Sequence, residues 1–222
     1  MGLHSCAKST QKNIEAIIME MTKDEMLELG FKFHGHRCPG MPLGLRVAWA
    51  AMEKLGVSRA EDGEVVALIE TGDAHCAGCF GDGVQVATGC TLGKGNIKKT
   101  YYGKIALTLI SRKNNKAVRA YVLPEFFGKM EQSPFMQQRN SGVPASQVAT
   151  DISQPSIDMV MSMPDSAFIG VSDVFDYKLD SPMVQFKRVK CSKCGDMVIE
   201  KYAHVMDDEI VCQPCLEQVH TL

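Results

Sequence analysis

Two histidines and a cysteine fall within five positions of the stretch "FHGHRCPG", residues 33–40. His34, His36 and Cys38 alternate with Gly35 and Arg37, and Pro39 and Gly40 then break the chain. Imidazole and thiolate ligate borderline and soft metal ions. A thiolate beside a helix start is also an activated nucleophile. Three readings therefore stand open: a metal site, an activated thiol, or a loop that merely collects these residues. A second cluster follows in "GDAHCAGC", residues 72–79, with Asp73, His75, Cys76 and Cys79, and Asp82 and Cys90 lie just beyond it. Taken singly each residue has a bland role, since a lone cysteine usually packs as a small apolar side chain. Several of them in two loops beside helix starts favour a metal or thiol site.

The third cluster is the most specific. "CSKCGDMVIEKYAHVMDDEIVCQPC" contains C-x2-C, seventeen residues, and C-x2-C again, a spacing that matches zinc-site templates. Two residues between thiolates let one tight knuckle present both sulfurs to one ion. The intervening stretch can form a hairpin that brings the second knuckle opposite. Cys191, Cys194, Cys212 and Cys215 would then close a tetrahedral zinc site with no open position. So small a module has little core, so metal binding is expected to supply much of its stability. His204 reads as a surface residue of the hairpin. A closed site does no chemistry, which directs attention back to the first two clusters.

The rest of the chain sets bounds. Its 222 residues suit one main domain and a small second one. A formal charge of -2 gives no electrostatic reason to expect nucleic acid or an anionic membrane as partner. No apolar run reaches the roughly 18 residues of a membrane helix. The opening "MGLHSC" lacks the basic and apolar regions of a signal peptide. It also places Cys6 where a myristoylation pattern wants Ser or Thr. The cytoplasm is the expected location, and there nine cysteines are better explained as ligands or reactive thiols than as disulfides.

Periodicity supplies the elements that must position the clusters. Ile14, Ile17, Ile18 and Met21 form a helical stripe. Thr22 and Glu25 have capping-box spacing, so a short helix should start at Lys23, with Gly30 as its stop. "PLGLRVAWAAMEKLG" reads as a helix with Leu45, Trp49 and Met52 on one face and Gly56 at its end. The "HGHRCPG" loop thus feeds a helix start, where free amides favour a thiolate. "EVVALIET" is a buried strand, and "GDGVQVATG" a short helix. "KIALTLIS" and "AVRAYVL" form a hairpin turning near Asn114 and Asn115. Gln137 to Pro155 reads as a long polar connection, "IDMVMSM" as a weak helix and "VQFKRVKC" as a strand entering the last module. Strands mixed irregularly with helices predict an α+β core, residues 1–185, followed by a zinc ribbon, residues 186–222.

Several motifs are excluded. "GCTLGKGN" falls one residue short of a phosphate loop, and Gly95 replaces its Ser or Thr. The zinc deaminase signature fails because no Glu follows His34 at the required place and His75 precedes Cys76 where Pro is needed. Haem attachment fails because Phe80 follows Cys79. Cys76-Ala77-Gly78-Cys79 after a strand does match a dithiol redox motif, which stays open as a rival.

"FHGHRCPGMPLGLR", "CFGDGVQVATGCTLGKGN" and "YYGKIALTL", in that order, resemble the formylmethanofuran dehydrogenase E-subunit family. The resemblance covers about residues 10–125, and the terminal ribbon from residue 186 is a known appendage in that family. It implies an α+β core, frequent homodimers, and association with molybdenum- or tungsten-dependent formylmethanofuran dehydrogenase, which carries out the first reduction of carbon dioxide in methanogenesis. His34, His36, Cys38, Pro39 and Gly40 match the first motif. Cys79, Asp82, Gln85 and Val86 match the second, and Thr88 to Thr91 with Gly93 to Asn96 match the third. The departure is "HCAGCFGDG", where Cys76 and Cys79 compete for one role and Phe80 stands in place of Gly.

On this basis one ion, expected to be zinc, is assigned to Cys38, to Cys79 or Cys76, and to one imidazole. His34 and His36 are two apart and should point oppositely in an extended loop. His36 is taken as the ligand, which leaves His34 for acid–base work. Three protein ligands and a water would make an open site. His34, Asp82 and Lys94 are the expected catalytic residues, and Cys90 and Asn96 the expected cofactor-binding ones, with Lys94 and Asn96 holding an anionic group. The chain is expected to be a metal-binding accessory of molybdenum or tungsten enzyme chemistry. A stand-alone zinc hydrolase or thiol redox protein, or a non-catalytic interaction protein with structural metal, remain the alternatives.

Overall fold

The computed structural model describes residues 21–73, 78–180 and 186–217. The stripe at Ile14, Ile17 and Ile18, and His75 and Cys76 of the second loop, lie outside the described residues. The chain divides into two compact units, one ending at Leu179 and the other beginning at Asp180.

Helix α1 (Lys23–His34) opens on the expected capping box: Glu25 N–H donates to Thr22 Oγ1 and Thr22 N–H donates to the Glu25 carboxylate. It does not stop at Gly30. Gly30 is a buried interior position, where a Cβ would lie 2.5 Å from the Met41 sulfur. Its bare backbone admits the next helix instead of ending its own. The stop is Gly35, at φ 87°, whose N–H closes on the Phe31 carbonyl. Helix α2 (Gly40–Leu55) follows and ends at Gly56, as expected.

β1 (Val65–Ile69) lies inside a mixed sheet with β2 (Ile97–Lys99), β3 (Ala106–Ser111), β4 (Lys116–Val122) and β5 (Ile169–Val171), in the order β2-β1-β3-β4-β5. The short β6 (Phe175–Asp176) also pairs with β4. β1 and β2 are parallel and the other pairs antiparallel, so the unit is α+β. The β3–β4 hairpin turns at Asn115, which accepts φ 54°. At the end of β1 the buried Glu70 receives a two-pronged ion pair from Arg119 of β4, at 2.6 and 2.8 Å. This fixes the strand end from which the second cysteine loop departs.

Residues 124–162 run helical through much of the connection expected over 137–155, and the weak helix expected at "IDMVMSM" is the end of a longer one. They form α4 (Pro124–Glu131), α5 (Pro134–Asn140) and α6 (Thr150–Ser162). Each of the first two begins with Pro, whose missing N–H costs nothing there, and Ser133 caps α5 by accepting from Met136 N–H. Gln137, Asn140 and Ser162 are exposed, while Phe126, Phe135, Ile157 and Val160 are buried together with the small Ser153 and Ser156. Pro155 is tolerated inside α6. Arg46 of α2 donates to the carbonyls of Val160, Met161 and Met163 at the end of α6, at 2.6 to 2.7 Å. These are the orphan acceptors of a helix end, so one guanidinium ties α6 to α2.

The tightest packing is between α2 and α3 (Cys79–Thr88). A Cβ on Gly44 would lie 2.1 Å from the Phe80 carbonyl oxygen, and one on Gly83 would lie 2.0 Å from that of Met41. The two backbones therefore meet directly, which only glycine permits.

The second unit holds two antiparallel pairs, β7 (Arg188–Lys190) with β8 (Met197–Ile199) and β9 (Ala203–Met206) with β10 (Glu209–Cys212), then α7 (Gln213–Leu216). Asp207 and Asp208 turn the second hairpin, both at positive φ, the pattern of a type I′ turn.

Gly44→Ala and Gly83→Ala should each cost about 1–3 kcal/mol or more by overpacking, read as a lower urea midpoint. Gly128→Ala, in an exposed position of α4 with open space around it, should instead gain about 0.5–1 kcal/mol. Equal effects at all three positions would refute the close-approach account.

Candidate metal centre

Cys38 precedes α2 and Cys79 is the first residue of α3. The Gly44–Gly83 contact sets these helix starts side by side, and a Cβ on Gly40 would lie 3.1 Å from that of Cys79. His34 ends α1, and the left-handed Gly35 reverses the chain so that His36 comes back over it. The ligand atoms of His34, His36, Cys38 and Cys79 all lie within 4.8 Å of one another. His34 Nε2 is 3.2 Å from His36 Nε2 and 3.6 Å from Cys38 Sγ. The two rings sit 4.1 Å apart. They do not point oppositely, because His34 belongs to a helix and Gly35 to a tight turn, so strand-like alternation does not apply.

Asp82, on the first turn of α3, contacts His34 Nδ1 at 2.7 Å and receives a hydrogen bond from Gln85 at 3.2 Å. A carboxylate behind one ring nitrogen fixes the tautomer and aims the other nitrogen forward. His34 Nε2 is therefore the atom offered to the centre.

The electrostatics are those of a charged cluster. The Asp82 contact, helped by Cys38, raises the His34 pKa to about 9. A hydrogen bond from Cys79, with His34 and the Met41 N–H adding to it, lowers Cys38 to about 4 against the opposing effect of burial. Cys79 is pushed upward by the same bond and by burial, because two adjacent thiolates repel. Four donors converge, but without a cation only one sulfur carries charge.

Lys94, Asn96 and Cys90 have other tasks in the structure. Lys94 Nζ donates to the carbonyls of Ala60 and Glu61 at 2.8 and 3.2 Å. Buried Asn96 donates to the carbonyls of Asp62 and Val65 and accepts from Thr91 N–H. Buried Cys90 donates to the Val65 carbonyl. Their polar atoms help to close the loops around β1.

Cys38 and Cys79 also face a cavity of about 310 Å³ whose walls include Leu43, Phe80, Phe126, Phe135 and Met136. Three of these belong to α4 and α5.

In the second unit the ligand atoms of Cys191, Cys194, Cys212 and Cys215 also lie within 4.8 Å of one another. Cys194 Sγ and Cys212 Sγ are 3.7 Å apart. N–H groups of Cys194 and Cys212 lower Cys191 to about 6, while the contact with Cys212, together with burial, raises Cys215 to about 12. Gly195, at φ 82°, completes the first knuckle.

Fold and site thus define an α+β protein with a compact His–Cys cluster at a helix crossing and a four-cysteine module. The family model described as FmdE, molybdenum formylmethanofuran dehydrogenase operon, matches residues 33–169, and the chain belongs to that family. A curated relative from Archaeoglobus fulgidus, described as a probable S-adenosyl-L-methionine-binding protein, is 34% identical over 179 residues, covering 76% of this chain and 47% of the relative. The chain therefore spans about half the length of that relative. The crystal structure of a tungsten formylmethanofuran dehydrogenase FmdE-like protein from Syntrophus aciditrophicus shares the fold, with a TM-score of 0.59 at 20% identity over 92% of this chain and 97% of that one.

The charge pattern sets a pH dependence for metal-free protein. The raised His34 contributes stability that is complete below its unfolded value of 6.5 and lost as pH rises through about 9. The lowered Cys38 contributes stability that is complete above its unfolded value of 9.0 and lost as pH falls through about 4. Between pH 6.5 and 9 the two slopes cancel. Below 6.5 only the Cys38 slope remains. Because Asp82 still raises His34 in Cys38→Ser, most of the His34 slope is common to both proteins, and the stability difference between chelated wild type and Cys38→Ser should be largest at mildly alkaline pH and shrink steadily towards pH 4. A difference that grows on acidification would contradict the thiolate–imidazolium pair.

Proposed function

We propose that this chain is a zinc-binding accessory protein of molybdenum- or tungsten-dependent formylmethanofuran dehydrogenase chemistry, acting as a cytoplasmic homodimer. His34, His36, Cys38 and Cys79 would hold one zinc in the core, and Cys191, Cys194, Cys212 and Cys215 a second in the ribbon. The carrying observation is the donor spacing. Zinc bonds of about 2.05 Å to nitrogen and 2.3 Å to sulfur give tetrahedron edges of about 3.3 Å between nitrogens, 3.6 Å from nitrogen to sulfur and 3.8 Å between sulfurs. The corresponding separations are 3.2 and 3.6 Å in the core and 3.7 Å in the ribbon. Zinc bound there would hold the thiolates charged and link the ends of α1, α2 and α3. Asp82 orients His34 from behind. Among the described residues, no helix is long and apolar enough to cross a membrane, which fits the proposed location.

Four protein donors leave no vacant position, which weighs against the hydrolase reading. The dithiol reading pairs Cys79 with Cys76, whereas among the described residues Cys79 is engaged with Cys38. The dimer reading draws on the ribbon, where Met197, Tyr202, Val205 and Ile210 are exposed.

A second reading, binding of S-adenosylmethionine, is suggested by the likeness to the Archaeoglobus fulgidus relative. The observation favouring it is the cavity against Cys38 and Cys79, where a cationic sulfonium would meet thiolate charge.

Elemental analysis should find two zinc ions per chain. Cys38→Ser should lose one and keep the ribbon ion, and Cys194→Ser should do the reverse. Unchanged metal content in either variant would sink that site. Light scattering should give a dimer that ends in monomer on truncation after residue 185, and a truncated protein that stays dimeric would exclude the ribbon from the interface.

A further inference from the structure

We infer that the cavity beside Cys38 and Cys79 is a pocket for an α-amino acid with an apolar, aromatic or thioether side chain, either free or as one end of a larger molecule. The inference rests on the cavity invoked for the second reading above and is independent of the metal. Its walls are hydrocarbon, aromatic and thioether: Leu43, Phe80, Ile105, Phe126, Met130 and Phe135 line it. At about 310 Å³ it lies at the small end of ligand pockets, about 300–1,000 Å³, which suits an amino acid and excludes a wholly enclosed dinucleotide.

Besides the two cysteines, two lining residues break the apolar pattern, and they carry opposite charges. Arg139 is half-buried on α5 and Glu131 is exposed at the end of α4. One Arg139 N–H is committed to the Val143 carbonyl. A guanidinium has five such donors in a fork that matches a carboxylate, so most remain available. Among the described residues neither Arg139 nor Glu131 belongs to an ion pair. A fatty acid would satisfy Arg139 and leave Glu131 unmatched. An amine would satisfy Glu131 and leave Arg139 unmatched. A zwitterionic amino-acid group answers both: carboxylate to Arg139, ammonium to Glu131, and the side chain inward along the phenylalanines. Cys38 and Cys79 line the same space.

The test is calorimetric titration of the full-length, metal-loaded protein with L-phenylalanine, L-methionine, 3-phenylpropionate, phenethylamine and S-adenosylmethionine. Phenylalanine should bind about tenfold or more tightly than either of its truncated analogues, since each loses a charge-assisted hydrogen bond of about 1.5–3 kcal/mol. Arg139→Gln should weaken phenylalanine and 3-phenylpropionate about tenfold and leave phenethylamine unchanged. Glu131→Gln, an exposed change with no folding risk, should give the mirror image. Equal affinities for phenylalanine and its two analogues, or indifference to both substitutions, would overturn the inference. Binding of S-adenosylmethionine that ignores Arg139→Gln would overturn it while sparing the second reading. Phenylalanine binding without S-adenosylmethionine binding would end that reading and support the free amino acid. No binding of any probe would end both.

Discussion

The direct meeting of two helix backbones at Gly44 and Gly83 is the contact on which the rest of the site depends. With Cβ positions falling about 2 Å from opposing carbonyl oxygens, no side chain can separate α2 from α3. The first residues of both helices are therefore held together. Cys38 stands just before one start and Cys79 at the other, so residues 41 apart in sequence are brought into thiol–thiol contact. Gly30 repeats the device on a smaller scale by admitting Met41, which brings the end of α1 and its histidines to the same place. Glycine is costly inside a helix, by roughly 0.5–1 kcal/mol relative to alanine. Three helical glycines at this crossing are understandable only if the close approach matters more than that loss.

The same geometry creates an electrostatic problem. Two helix starts present partial positive charge to one small volume, which favours anionic sulfur. Two thiolates at contact distance repel, however, and in the bare cluster only Cys38 is driven to the charged form while Cys79 is held neutral. His34, made cationic by Asp82, supplies one compensating charge. A divalent cation placed among the four donors would relieve the repulsion directly, releasing protons from Cys79 and His34 as it bound. Fold and charge thus point in one direction: helices forced together at glycine gather donors whose mutual repulsion a metal removes.

Much of this was legible in the sequence, and the failures have physical causes. The capping box at Thr22, the helix stop at Gly56, the hairpin at Asn115 and the C-x2-C pairs rest on local chemistry that acts over three or four residues. The role of Gly30 could not be read the same way, since a glycine that ends a helix and one that admits a neighbour look alike. The mutual orientation of His34 and His36 depended on whether residue 34 was loop or helix, and period-two reasoning put the rings on opposite sides. Lys94 and Asn96 were expected to hold an anionic group near the metal. Their partners in the structure are carbonyls thirty or more residues earlier, which no local pattern announces. Helices α4 and α5, which complete the cavity, are only eight and seven residues long, too short for a helical repeat of apolar positions to stand out. Of their large apolar residues, Phe126 and Phe135 are the buried ones.

The distribution of donors around the core cluster bears on what the site can do. The two cysteines line the cavity, while among the lining residues neither His34 nor His36 appears. A molecule in the cavity would therefore meet the sulfur side of the cluster. His34 is buttressed by Asp82 through the nitrogen that does not face the donors, so displacing it would also break that bond. His36 is carried just beyond the left-handed Gly35. Four protein donors and a ligand approaching from the sulfur side describe a centre whose reactivity would be that of metal-held thiolate. An open, water-bearing metal would instead need a histidine to leave. The open site inferred from three ligands and the closed site suggested by four thus differ in the reacting atom, and the helix crossing favours the second by placing both sulfurs, and neither imidazole, on the wall of the cavity.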